Sequence, residues 1–152
     1  MSSTEPSRKK ALTPHLTDEV RHTLIEAAQT VRQHAYAPYS DYLVGAALLT
    51  NGGAIYTGCN VENAAFSPTI CAERVALVKA ISEGEREFEA IAVVTDNGAF
   101  PCGLCRQMMY EFSPLMTVIV VDAEGIMVNE STLAELLPKG FTPDQVHKHG
   151  TA

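Results

Sequence analysis

Apolar positions recur at helical spacing from Val20 through Leu24, Ala27, Ala28 and Val31 to Ala35, one stripe along a helix. Thr17 stands just before it as a cap, with Asp18 and Glu19 in the first turn, near the positive end of the helix dipole. Pro38 sets the outer limit of that helix. Residues 42–50, YLVGAALLT, then form a buried-strand run, and Asn51-Gly52-Gly53 predicts a tight turn into a second strand, AIYTGCNVE. The pair reads as an antiparallel hairpin. Residues 64–70, with Pro68 among them, read as irregular.

A second helix is predicted from about Cys71, through Val75, Leu77, Val78 and Ile81, to a stop at Gly84. The acidic stretch Glu83 to Glu89 reads as a solvated connection, and IAVVTD, residues 91–96, as a short strand buried on both faces. Another helix begins near Pro101 and ends before Pro114. TVIVVDA is the next strand, followed by a turn at Asp122 to Gly125 and a weaker strand around Ile126 to Val128. Ser131 is the expected cap of a last short helix ending at Pro138. The order predicts one α/β domain over residues 17–145, a mixed sheet of about five strands with helices on both faces. Residues 1–16 read as a disordered tail, and 146–152 as a C-terminal tail.

Composition narrows the function. The chain has 152 residues, 46% hydrophobic and 19% charged, which is a globular balance. Its net charge of −7 disfavours a nucleic acid polymer as partner, because such binding needs a basic face that releases counterions. No apolar run is long enough for a membrane span, and the N-terminal residues lack the apolar middle of a secretory signal, so a cytoplasmic location is expected. In a reducing compartment, four cysteines point to metal or catalysis before disulfides.

Two segments carry that chemistry: Thr69-Ile70-Cys71-Ala72-Glu73-Arg74 and Pro101-Cys102-Gly103-Leu104-Cys105-Arg106-Gln107. Each places cysteine at a predicted helix N-terminus, where the dipole and free N–H groups favour thiolate. Cys102 and Cys105, one turn apart, are able to reach one ion, with Cys71 as third ligand; three protein ligands and an open position suit a catalytic zinc. Glu73 is then placed to take a proton from an attacking water and deliver it to a substrate. Arg74 and Arg106 adjoin the site, where their guanidinium groups would offset the charge of three thiolates. Against this stand a Cys-x-x-Cys redox pair, and a closed structural site using Cys59 as fourth ligand; Cys59 reads otherwise as a small buried hydrophobe. No histidine is assigned to the metal.

Cys-Ala-Glu followed by Pro-Cys-x-x-Cys is a form of the zinc deaminase signature. With Ala37-Pro38-Tyr39-Ser40, the segments 44–49 and 57–64, and Glu135-Leu136-Leu137-Pro138 before Phe141, the chain resembles the small homotetrameric cytidine deaminases from about Tyr36 to Phe141. The resemblance implies a three-layer α/β/α fold, one Zn2+ per subunit on Cys71, Cys102 and Cys105, and Glu73 as proton shuttle to the cytosine ring. It implies Asn60 and Glu62 as ribose ligands, the Ala72 N–H as a contact to the base, and active sites shared within a homotetramer through Phe66 and Phe141. The implied reaction is deamination of free cytidine and 2′-deoxycytidine, in pyrimidine salvage. Tyr42 and Leu43 stand where that family usually has Phe-Pro, and Phe66 where it has Tyr, which implies a Tyr42 hydroxyl beside the nucleoside pocket and makes a cytosine nucleoside altered on N4 or C5 an alternative substrate; a blasticidin S-type antibiotic, which related tetrameric proteins deaminate, is another. A zinc-stabilised protein that binds a nucleoside without turnover is the alternative from another class.

Overall fold

The computed structural model describes residues 16–146. The tails expected at 1–16 and 146–152 therefore lie outside the described residues, except for Leu16 and Val146. Leu16 is no tail residue: it is buried in the core, and its carbonyl accepts a hydrogen bond from Arg21. None of the described helices is long and apolar enough to cross a membrane.

Helix α1 spans Asp18–Arg32, capped by the Thr17 hydroxyl, which accepts from the Val20 N–H. Strands β1, Gly45–Thr50, and β2, Ile55–Cys59, form the expected antiparallel hairpin. Then follow α2, Ala72–Ser82; β3, Phe88–Val94; α3, Gly103–Tyr110; β4, Thr117–Val121; β5, Met127–Thr132; and the short α4, Leu133–Leu136. A single 3-10 turn covers Pro143–Gln145. The sheet order is β2-β1-β3-β4-β5, with β3 and β4 parallel and every other pair antiparallel.

Every residue of β1 is buried because the sheet is covered on both sides. Alternate side chains sort to opposite faces. Ala46, Leu48, Ile91, Val93, Val118 and Val120 pack with α2, α3 and α4, whereas Ala47, Leu49, Ala92, Val94, Ile119 and Val121 pack with α1. The result is three layers, α/β/α.

Two glycines set the layer spacing. A Cβ on Gly45 would lie 2.0 Å from the Ala28 carbonyl oxygen of α1, and one on Gly58 would lie 2.5 Å from the Ala76 nitrogen of α2. Backbone atoms that close have no rotamer with which to yield. Gly58→Ala is therefore expected to push α2 off the sheet and lower Tm by about 5 °C or more in a thermal melt, as overpacking does.

Three elements differ from expectation. β3 begins at Phe88, inside the stretch read as a solvated connection, because Phe88 is buried on the α2 side of the sheet and Ala90 on the α1 side, across a register shift opposite Leu49 and Thr50, while Glu89 is only half-buried. β5 runs on to Thr132, past the expected Val128. Thr132, not Ser131, caps α4, because Glu135 lies three residues on and completes a capping box with its own side chain.

β2 runs antiparallel to β1, and β1 antiparallel to β3, so the C-terminal ends of β2, β3 and β4 share one edge of the layers. Chain segments leaving that edge lead to Cys71 and Cys102, the usual address of a ligand site in α/β sheets.

Candidate metal centre

Cys71 is the N-cap of α2 and Cys102 the N-cap of α3, and neither side chain caps its helix. A cap position is more often Ser, Thr, Asp or Asn, whose oxygen turns back to the backbone. Here the sulfurs instead face each other. Cys71 Sγ lies 3.9 Å from Cys102 Sγ, which lies 3.5 Å from Cys105 Sγ, and all three sulfurs fall within 4.8 Å of one another. Sulfurs at tetrahedral corners around zinc, about 2.3 Å from the ion, stand about 3.8 Å apart, so the donor set fits that ion. All four cysteines are free thiols. Cys59, paired with Gly45 at the end of β2, is outside the three-sulfur group, which removes the closed four-thiolate arrangement among the described residues.

Two of these thiols, Cys71 and Cys105, are shifted in opposite directions. A hydrogen bond from Cys105 pulls the Cys71 thiol down to about 5, helped by the Arg74 guanidinium 3.8 Å away. The same contact with Cys71, together with burial, pushes Cys105 upward. One negative charge is favoured in this cluster and a second is resisted, the electrostatics of a site that needs a cation to hold three thiolates.

Glu73 is 4% exposed, and burial raises its carboxyl from 4.5 to about 7, with a smaller push from the Cys71 thiolate. Ala72, fully buried, occupies the first helical position, where an N–H has no intrahelical acceptor. Arg74 donates from one Nη to the Cys71 sulfur at 3.8 Å. Arg106 does not reach the sulfurs. Its Nε donates to the Pro101 carbonyl at 2.7 Å and a second nitrogen to the Leu136 carbonyl at 2.8 Å, so it ties the start of α3 to the end of α4. The geometry decides this: two carbonyls within reach take two of its donors and hold the planar fork in place.

Asn60 and Glu62 lie beyond the end of β2 rather than within it. The Asn60 amide donates to the Tyr42 carbonyl at 2.8 Å and accepts from the Val44 N–H at 2.9 Å. Glu62 Oε1 accepts from the N–H groups of Tyr39 and Ser40, at 2.9 and 3.1 Å. These donors, with the Ser40 hydroxyl first, hold the Glu62 carboxyl below its usual range. Phe66 is 73% exposed at a φ of 59°, a conformation costly for a large side chain, and its ring meets Tyr39 edge-on. Phe141 is 55% exposed, its carbonyl held by Gln107.

Sequence reasoning missed Arg32, Asp96 and Asn97. Arg32 donates to the Leu43 carbonyl at 2.8 Å and pairs with Asp96, and the Tyr42 hydroxyl donates to Asn97 Oδ1 at 2.7 Å. Partners 64 and 55 residues apart leave no local signal.

A three-thiolate metal centre at two helix N-termini, beside a buried carboxyl, defines a hydrolytic metalloenzyme site rather than a structural one. The comparisons narrow the class: residues 18–122 match the family described as "Cytidine and deoxycytidylate deaminase zinc-binding region", and the chain belongs to it. A cytidine deaminase of Sporosarcina psychrophila is 47% identical over 126 residues, 81% of this chain and 92% of its own. A probable cytidine deaminase of Dictyostelium discoideum is 41% identical over 134 residues, 86% of this chain and 90% of its own. The crystal structure of cytidine deaminase from Burkholderia pseudomallei superposes with a TM-score of 0.77 at 46% identity, covering 83% of this chain and all of that one.

Proposed function

We propose that this chain hydrolyses free cytidine and 2′-deoxycytidine to uridine and 2′-deoxyuridine, releasing ammonia, in pyrimidine salvage in the cytoplasm. The observation that carries the reading is the buried Glu73, raised to about 7, two residues from a thiol of the zinc site. A purely structural zinc site has no use for it. Zinc on Cys71, Cys102 and Cys105, when bound, supplies the Lewis acidity that makes a water nucleophilic at neutral pH.

The rest falls to the chain's own residues. Glu73 takes the proton of the attacking water on a carboxylate oxygen, gives it to N3 of cytosine, and later assists ammonia as it leaves C4. A carboxyl near neutrality is suited to both taking and giving it. The Ala72 N–H contacts the base, and Asn60 and Glu62 hold the ribose. Both already bond backbone of the 39–44 segment, so the ribose ligands are fixed before substrate arrives. Phe66 and Phe141, both exposed in the single chain, reach the site of a neighbouring copy in a homotetramer; a sedimentation experiment that finds an active monomer contradicts this. Mixing the purified protein with each nucleoside and separating the products tests the substrate assignment: uridine and 2′-deoxyuridine are expected, and turnover of neither contradicts it.

Arg74 offsets the net negative charge that three thiolates leave on a dication. Arg74→Gln is expected to weaken zinc retention in a chelator competition by about tenfold, the scale of a lost partner to a metal ligand.

Glu62 gives a pH signature. Its folded-state value is depressed, so it stays charged as pH falls to the ordinary carboxylate value of 4.5, and its clamp is lost only below that, as pH falls through the lowered value. The Glu62 contribution to KM, read as the KM ratio of Glu62→Gln to wild type, should therefore hold steady down to about pH 4.5. Glu62→Gln should raise KM about tenfold at neutral pH, the cost of losing a charged acceptor.

A further inference from the structure

Residues 42–44 form no regular structure, yet three separate parts of the chain hold them. From the end of β2, Asn60 bonds the Tyr42 carbonyl and the Val44 N–H. From α1, Arg32 bonds the Leu43 carbonyl. From the segment after β3, Asn97 accepts the Tyr42 hydroxyl at 2.7 Å. That segment is bound a second time, since Asp96 pairs with the same Arg32. Its backbone is closed by the Ala99 N–H donating to the Thr95 hydroxyl at 2.8 Å, and it runs directly into Cys102. Two loops at one end of the sheet, one bonded to Asn60 and the other leading to a thiol of the metal centre, are thus fastened side chain to side chain. Main-chain pairing alone does not do this, because β1 pairs with β3 only from Gly45 and Val94 inward.

We propose that the Tyr42–Asn97 hydrogen bond is a latch that fixes the spacing between the nucleoside-holding loop and the loop that delivers Cys102, making both residues positioning residues for substrate binding. The inference rests on the deaminase reading for what the pocket holds. Arg32 with Asp96 anchors the base of the two loops, and Tyr42 with Asn97 anchors their tips. Asn97 is exposed and Tyr42 half-buried, so the bond adds little to global stability, and its consequence is local order. A latch of this kind acts before chemistry. It holds the wall that substrate meets, so its loss is paid in KM and not in the rate of proton transfer.

The test uses the zinc-loaded protein with Tyr42→Phe, Asn97→Ala, the double variant, and Asn97→Asp, which keeps an acceptor oxygen. Hydrogen–deuterium exchange should speed up in both loops, 42–45 and 96–101, in either single variant. KM for cytidine should rise about 3- to 10-fold with kcat within about twofold, the scale of one exposed hydrogen bond. The double variant should match the singles and Asn97→Asp should match the wild type. Effects that multiply in the double variant, or a 96–101 loop whose exchange ignores Tyr42→Phe, overturn the latch. A protein whose loops are coupled by exchange but which deaminates neither nucleoside keeps the latch and contradicts the deaminase reading instead.

Discussion

Replacing Glu73 by Gln is expected to lower kcat for cytidine by about 10²- to 10⁴-fold, the range of a positioned general acid–base group, while zinc remains at one per chain. The amide is nearly the same shape, so the α2 N-terminus and its Cys71 cap should be undisturbed. What it lacks is the ability to take a proton from the attacking water and surrender it to the ring. Burial in the wild type raises the Glu73 carboxyl to about 7, so the buried group costs stability when charged. The sign follows from that. The folded value lies above the unfolded one, so the favourable contribution of protonated Glu73 is full below 4.5 and is lost as pH rises through about 7. Glu73→Gln removes that loss, and a zinc-free Gln variant should melt higher than zinc-free wild type above pH 7. Stopped turnover with retained zinc and no fall in Tm would separate a proton shuttle from a packing residue. Activity within a factor of a few of wild type would remove Glu73 from the chemistry.

The second large effect concerns the metal. Cys105 is fully buried in the first turn of α3, among the core residues on the α2 side of the sheet, with its sulfur 3.5 Å from that of Cys102. Cys105→Ser keeps the size but loses the soft thiolate, and the site's binding energy contributes directly to folding. Zinc content should drop to near zero, activity should vanish, and Tm should fall by about 10 °C or more. Cys59→Ser provides the contrast. Its sulfur lies outside the three-thiol group, so zinc and activity should be retained. Loss of zinc in Cys59→Ser would restore a four-thiolate site.

Most of the fold is legible in the sequence because its signals are local. The Thr17 cap, the Asn51-Gly52-Gly53 turn and the apolar runs of β1 and β4 each announce an element from within a few residues. The misread elements are those where burial is decided from a distance. Phe88 and Ala90 sit among glutamates, and only pairing with β1 explains why they face inward. β5 is an edge strand whose Asn129, Glu130 and Ser131 do not look like a strand until β4 is beside them. At the start of α4 the choice between Ser131 and Thr132 rests on Glu135, three residues after Thr132, and on β5 running to Thr132 itself.

The site divides the same way. Cys102 and Cys105 are one turn apart, and Glu73 follows Cys71 on one helix, so chemistry and spacing could be read together. That Cys71 meets Cys102 is a tertiary fact, because it depends on how α2 and α3 lie against one sheet face. Arg106 shows the converse. Sequence adjacency to Cys105 suggested a bond to sulfur, but the helix turns its guanidinium toward Pro101 and Leu136. Asn60 and Glu62 fall in the run expected as the second strand, yet they lie beyond the end of β2 and each fastens a different stretch of the 39–44 loop.

The most direct test of the central claim is to strip the metal, restore one equivalent of zinc, and follow cytidine by chromatography with ammonia measured alongside. Uridine and ammonia in equal amounts from the restored protein, and neither from the stripped one, is the predicted result. Equal turnover with and without zinc, or full zinc occupancy with no uridine formed, would contradict a zinc-dependent cytidine deaminase.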